Sequence, residues 1–399
     1  MWKRFVAIVT LLALCLLPGL PARGEEPAAG ETPVIPAGQA GEVAVLELSL
    51  EEAIEMALAN NPEIPLSENA VAKAQVAVRE AKTAADAAEQ VLENPPDIPG
   101  MYDALNSLSA KYVLPRMAEM ELTLAELGVD FTKKVLMMNV EKAYYDVLKA
   151  EADVANKEAA LERAREQLRL AEASVAAGVA ARSDVMGAQV GVTAAEVQLA
   201  TAKNTLDGAM MSLAQALGRD LTEKYVLTTK FEYEPAEEPD LDAYLNELME
   251  TNLSVVGARE GLAIAELQLE QVAKVYTPNV YTYRKAQYDR DEAKIKYDQA
   301  KTSLELNVRQ SYLNLKTAEK AYLLLEENVK FAEETARLAA LRYEAGIATR
   351  LEMEKAYDQL NETEAQRLSM LYNYNLAKAQ LQYGVFIGGG TGGTNGAGF

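Results

Sequence analysis

The side chains that most often carry chemistry are scarce in this chain. Its 399 residues include no histidine and one cysteine, Cys15, which all but removes imidazole bases, thiolate nucleophiles and the usual zinc ligand sets. What remains is acid, with 60 Asp and Glu against 39 Lys and Arg and a formal charge of −21. At that density carboxylates meet by chance along any helix, so no pair stands out as a general acid/base dyad. No phosphate loop, nucleophile elbow or metal-ligand spacing occurs either. The expectation is a protein that is not an enzyme, takes no cofactor and no metal, and does not bind nucleic acid or anionic membrane surfaces.

The polar residues worth placing lie in two short turns, Ala176–Asp184 and Glu344–Glu352. Gly178 and Gly346 stand where a helix C-terminus calls for a left-handed residue, and Thr349 with Glu352 three positions on forms a capping box that opens the next helix. Asp184, after Ser183, occupies the corresponding first turn, where an acid is favoured whatever its function. Arg182 and Arg350 are equivalent in the two turns and read either as solvated turn residues or as contacts for a partner.

The elements that must position these turns are long helices with a seven-residue apolar repeat. Leu136, Val140, Ala143, Val147, Ala150, Val154, Lys157, Leu161, Ala164, Leu168, Ala171 and Val175 alternate steps of four and three, a coiled-coil seam interrupted only at Lys157. The same pattern returns 168 residues later without a gap, from Leu304 to Tyr343, with Leu325 in place of Lys157. The second arm, Val185 to Ala216, likewise maps onto Met353 to Gly384. Large residues alternate with alanine along all four seams, which lets helix axes approach closely. Arms of about 42 residues make rods of roughly 60 Å.

Around this duplicated hairpin the rest of the chain falls into order. Residues 1–24 carry Lys3 and Arg4, an apolar run from Phe5 to Leu17 and small residues at Ala22 and Gly24, the layout of a secretory signal. Its removal takes away three bases and no acid, so the charge moves from −21 to −24. Residues 25–48 read as a flexible leader rich in Pro, Gly and Ala. The first repeat spans 49–219, with a capping box at Ser49 and Glu52, a short helix ending at Asn61-Pro62, and a longer helix to about Glu93. A Pro/Gly break follows, then helix from Met101 to Phe131 with a kink at Pro115. Residues 220–240 form an inter-repeat linker with one short strand near Tyr225–Tyr233. The second repeat spans 241–387, with Asn252-Leu253 standing for Asn61-Pro62, and 388–399 is a Gly-rich, disordered tail.

The ordered set Asn61-Pro62-Glu63-Ile64, Val140-x-x-Ala143-Tyr144 and Gly178-x-x-x-x-Ser183-Asp184, with its copy in Tyr312, Arg342-Tyr343-Glu344-Ala345-Gly346 and Leu351-Glu352, resembles the TolC-type outer-membrane efflux ducts. The resemblance covers roughly Ser49 to Gly384. It implies an all-α fold of long antiparallel coiled-coil hairpins in two tandem repeats, assembled as a homotrimeric hollow α-barrel. It also implies that the tip turns, with Gly178, Arg182, Ser183, Asp184, Gly346, Thr349 and Arg350, meet a periplasmic adaptor and, through it, an inner-membrane pump. The implied function is an exported duct of the cell envelope, periplasm and outer membrane, for efflux or secretion. The rival is a coiled-coil envelope scaffold of the same fold that moves nothing.

Two departures from the family pattern bear on that expectation. Family members carry a pair of transmembrane strands in each repeat, yet the 83 positions from Asn61 to Tyr144 and the 60 from Asn252 to Tyr312 read as helix. The best strand candidate, Val275–Tyr283, contains Pro278, so little or no membrane barrel is expected and insertion into a membrane is not. At the aperture the family often has two acids three apart. Here Glu352 holds the first position and Lys355 the second, with Glu354 beside it.

Overall fold

The computed structural model describes residues 46–95, 103–178, 181–229, 231–236, 238 and 240–386, of which 86% are helical and 2% lie in strands. The expected signal segment, most of the leader and the Gly-rich tail lie outside the described residues.

The first repeat runs β1 (Leu46–Leu48), α1 (Leu50–Asn60), α2 (Glu63–Glu93), α3 (Ala104–Leu108), a π turn (Ser109–Val113), α4 (Leu114–Ala176) and α5 (Arg182–Ala216). After β2 (Tyr225–Leu227) the second runs α6 (Leu241–Thr251), α7 (Leu253–Val275), α8 (Tyr281–Glu344) and α9 (Arg350–Tyr383). Local chemistry sets the corners. The Ser49 hydroxyl accepts from the Glu52 amide at 3.2 Å while the Ser49 amide donates to Glu52 Oε2 at 2.9 Å, the reciprocal cap that the sequence predicts for α1. At the α1–α2 corner Asn61 Nδ2 donates to the Ala216 carbonyl at 3.1 Å and its Oδ1 accepts from the Glu63 amide at 2.9 Å, so the corner is tied to the end of α5. Asn252 repeats the capping role without a proline, accepting from the amides of Ser254 and Val255.

Every residue of the four predicted seams is buried or half-buried, Lys157 included. The arms are unequal, because the helix containing Pro115 does not stop at the expected kink. The Leu114 amide reaches back five residues to the Ser109 carbonyl, and this wider turn absorbs the proline, which has no N–H to give. The 63 residues of α4 and 64 of α8 therefore make rods of about 95 Å, against 35 and 34 residues in α5 and α9.

Helix α4 packs against both α5 and α9, and α9 packs against α8, which places the four arms in the order α5, α4, α9, α8. Beyond the arms, α2 and α7 pack on the N-terminal part of α4, and α7 packs also on α8. Connections at this far end are short. Residues 276–280 join α7 to α8, and ten residues, 94–103, join α2 to α3. A pair of membrane-spanning strands needs about 9–11 residues each, so neither connection has room for one, and Val275–Tyr283 forms helix ends around a turn.

The equal arms of about 42 residues are thus corrected, and so is a second expectation. The stretch 25–48 reads as leader, yet Leu46–Leu48 pairs in parallel with Tyr225–Leu227, and Leu48 is 1% exposed. Three residues are too few for alternation to register, and the partner lies some 180 positions away. The joint is closed by Tyr144, fully buried, whose hydroxyl donates to the Leu48 carbonyl at 2.9 Å and accepts from the Thr229 amide at 3.1 Å. In the second repeat Tyr374 does the same for the linker, donating to the Glu234 carbonyl and accepting from the Ala236 amide, both at 2.8 Å.

Candidate functional site at the hairpin tips

Both tips are built by the same device. Gly178 has φ of +78° and Gly346 +71°, the left-handed conformation that the turns require. Behind Gly346 the amides of Ile347 and Ala348 both donate to the Arg342 carbonyl, at 2.8 and 3.1 Å, which satisfies the end of α8. The predicted box opening α9 is present: the Thr349 amide donates to Glu352 Oε2 at 2.8 Å and the Glu352 amide to Thr349 Oγ1 at 3.3 Å. The backbone amide of Thr349 holds the Glu352 carboxyl below the usual range, chiefly through that hydrogen bond and then through the Thr349 side chain. In the first tip only half of the box exists. Ala181 offers no side-chain oxygen, and its amide donates to Asp184 Oδ2 at 3.1 Å.

The sequence-predicted residues separate into two groups. Ser183, Asp184, Arg350 and Glu354 are brought together in an open groove of about 480 Å³ between the hairpins. Gly178, Arg182, Gly346, Thr349, Glu352 and Lys355 lie outside its lining and are exposed. Neither aperture acid is idle: Glu352 is the cap, and Glu354 accepts from Arg350 Nε at 2.7 Å. Sequence reasoning missed the rest of the groove, among them Gln167, Leu170, Gly187, Tyr343, Leu351 and Met353. Exposed Ile347 and Leu351 at the tip, 71% and 59% accessible, were the available signal, since a solvated turn has no need of them.

Above the tips the hairpins are joined along α4 and α9 by polar contacts. Arg163 donates to Asn361 Oδ1 at 2.8 Å and lies over the Tyr357 ring, and Lys149 lies over Tyr372. Beside these contacts a groove of about 410 Å³ is lined by Asp146, Lys149, Asp153 and Asn156 of α4, Thr205 and Ser212 of α5 and Leu368 of α9, with alanines between them. Among the described residues no group of carboxylates, histidines or cysteines is arranged to hold a metal ion.

A second apolar stripe, separate from the seams, was also missed. On α8 the residues Tyr281, Tyr288, Ile295, Leu306, Leu313, Leu324, Phe331 and Leu338 are exposed, Phe331 to 77%. Their steps are seven or eleven residues, and each returns to within about 20° of the same helix face. Met186, Val190, Val197 and Met211 form a shorter exposed stripe on α5, the opposite edge of the layer.

The model for outer membrane efflux proteins matches residues 116–219 and 278–383, more than half of the chain and centred on the two hairpins. No curated protein matches the sequence. Among solved structures, a membrane protein from Pseudomonas aeruginosa is 16% identical with a TM-score of 0.67, covering 89% of this chain and 96% of its own. The outer membrane protein VceC of Vibrio cholerae is 14% identical with a TM-score of 0.65, covering 84% and 95%. The CmeC outer membrane channel of Campylobacter jejuni is 12% identical with a TM-score of 0.62, covering 84% and 85%. These likenesses give the fold, a TolC-like arrangement of tandem helical repeats. With duplicated hairpins, matching tips and a family match over both, the chain belongs to the outer membrane efflux protein family.

Proposed function

We propose that this chain is one subunit of a TolC-like efflux or secretion duct, a homotrimeric α-barrel in the cell envelope. The observation that carries this reading is the pair of unpartnered apolar edges on opposite sides of the α5–α4–α9–α8 layer. A surface of one kind on one edge and of another kind on the far edge makes a head-to-tail contact, which gives a ring where the rotation between subunits closes and a filament where it does not; the ring is the form this reading takes. The open groove where Asp146, Asp153, Asn156 and Ser212 meet water supports a wet lumen, which a solid scaffold would not need. In this reading the groove between the hairpin tips, with Leu351, Met353, Arg350 and Asp184, takes a periplasmic adaptor that links the duct to an inner-membrane pump.

The short connections at the far end favour a second reading in part. Without room for a pair of strands in either connection, the subunit either meets another protein that crosses an outer membrane or braces envelope layers without moving a substrate. The test of assembly is Leu324→Glu combined with Phe331→Glu. Each side chain is mostly exposed in the single subunit, so the variant keeps its helix content. Burying an apolar side chain of this size is worth about 1.5–3 kcal/mol, so losing two at each interface weakens association roughly 10²–10⁴-fold. A variant that assembles as tightly as the parent overturns the edge-to-edge reading.

A further inference from the structure

One ionisable group lies where both repeats and the linker meet, and neither the seams nor the proposed duct makes use of it. Glu141 on α4 is 8% exposed, one of the few charged residues buried in the described chain. It sits beside the cluster of Met138, Ala379, Tyr383 and Val385, which joins α4 to the end of α9. The phenols of Tyr145, one turn on in α4, and Tyr383, from α9, are placed to donate to its carboxylate, and Lys378 of α9 adds a weaker attraction. Two further acids face the phenols rather than Glu141 itself, Glu234 of the linker toward Tyr145 and Glu51 of α1 toward Tyr383. Glu234 also holds Lys378 at 3.5 Å, which divides that positive charge between the two acids.

The balance of these groups decides which form the joint prefers. Burial disfavours the ionised carboxylate and is the largest influence on it, and it raises the Glu141 carboxyl above the usual range. The two phenols and Lys378 oppose that shift without cancelling it. Both phenols are in turn held protonated, by burial first and by Glu141 second. They therefore remain donors throughout the range in which Glu141 titrates.

We propose that Glu141 is a proton-sensitive latch between the two repeats, tightening the contact of α4 with the end of α9 when protonated and loosening it when ionised. The sign follows from linkage. A carboxyl whose folded-state pKa is raised contributes stability that is fully present below its unfolded value and is lost as pH rises through the folded one. Protonation thus fastens the second hairpin to the first, and the contact relaxes as pH rises through the raised value.

The test is thermal unfolding of the mature chain, followed by circular dichroism between pH 5 and pH 8 at fixed ionic strength, with Glu141→Gln and Tyr383→Phe alongside. Many other carboxylates titrate in the parent, so the reading is the difference in midpoint between variant and parent. For Glu141→Gln that difference moves in favour of the variant as pH rises, because glutamine keeps the shape and carries no charge. For Tyr383→Phe the difference moves the other way, since the ionised carboxylate loses a donor and the slope steepens. A Glu141→Gln difference that is constant with pH, or that shows the variant losing stability relative to the parent as pH rises, overturns the latch. A Tyr383→Phe profile parallel to the parent overturns it equally, and remains readable should the glutamine variant fail to fold.

Discussion

The crossover between repeats is held by two tyrosine hydroxyls, and removing one oxygen atom tests how much each contributes. In Tyr144→Phe the ring stays, so no cavity forms. The Leu48 carbonyl still accepts from the Thr228 amide at 3.1 Å, but the Thr229 amide loses its acceptor. An orphaned donor costs up to about 1–3 kcal/mol when buried; the Thr229 amide is part-buried, which sets the expectation at the lower end, and the loss falls on the β1–β2 joint rather than on the coiled coils. Amide exchange at Thr229 and along Tyr225–Leu227 reports this directly. If the joint opens as a local unit, exchange there quickens roughly 5- to 150-fold while the mid-seam amides of α4 and α5 hold their protection. Tyr374→Phe removes the equivalent pair of hydrogen bonds from Glu234 and Ala236, part-buried like the Thr229 bond, so a loss of similar size is expected at the Ala236 amide. Unchanged exchange at Thr229 in Tyr144→Phe, within about twofold, would refute the claim that this hydroxyl fastens the two repeats.

Three other outcomes follow from local geometry. Gly218→Ala lowers the melting temperature more than Gly178→Ala: both have positive φ, +68° and +78°, which costs about 1–2 kcal/mol in an alanine, but only at Gly218 would the new Cβ lie 2.8 Å from the Asn60 carbonyl oxygen. Thr349→Ala removes the α9 cap, about 0.5–2 kcal/mol, and frays the first turn of α9 in hydrogen exchange. The parent's own cap weakens in acid, because the depressed Glu352 carboxyl gives its stabilisation above the usual glutamate range and loses it as pH falls through the lowered value. Finally, carbonate washing releases the chain from a membrane fraction, since neither far-end connection has room for a pair of membrane strands; extraction only by detergent, with heat-modifiable migration, would contradict that.

What the sequence made legible is what repeats. Alanine alternating with larger residues at steps of four and three marks buried positions along α5, α9 and the tip-side parts of α4 and α8, and Gly178, Gly346 and Thr349 mark where those arms turn; the far parts of α4 and α8, which take them to 63 and 64 residues, lie beyond the repeat. Hidden were the features built from few residues or from distant ones. The β1–β2 pair is three residues long and joins positions far apart, and the extra turn before Pro115 has no apolar signature. The stripe from Tyr281 to Leu338 carries a real period, but its steps of seven and eleven overlap the seam and are lost behind it. The groove between the tips depends on how α4 lies against α9, a contact made by Arg163, Lys149 and tyrosines and, farther from the tips, by a short apolar cluster around Met138 and Ala379 rather than by a repeat.

The measurement that bears most directly on the duct is electron microscopy of the purified mature protein, viewed along the helix axes, with its mass determined by light scattering. The account predicts three copies joined edge to edge around an open, water-filled centre. A monodisperse monomer, or an assembly whose cross-section is solid, would contradict it.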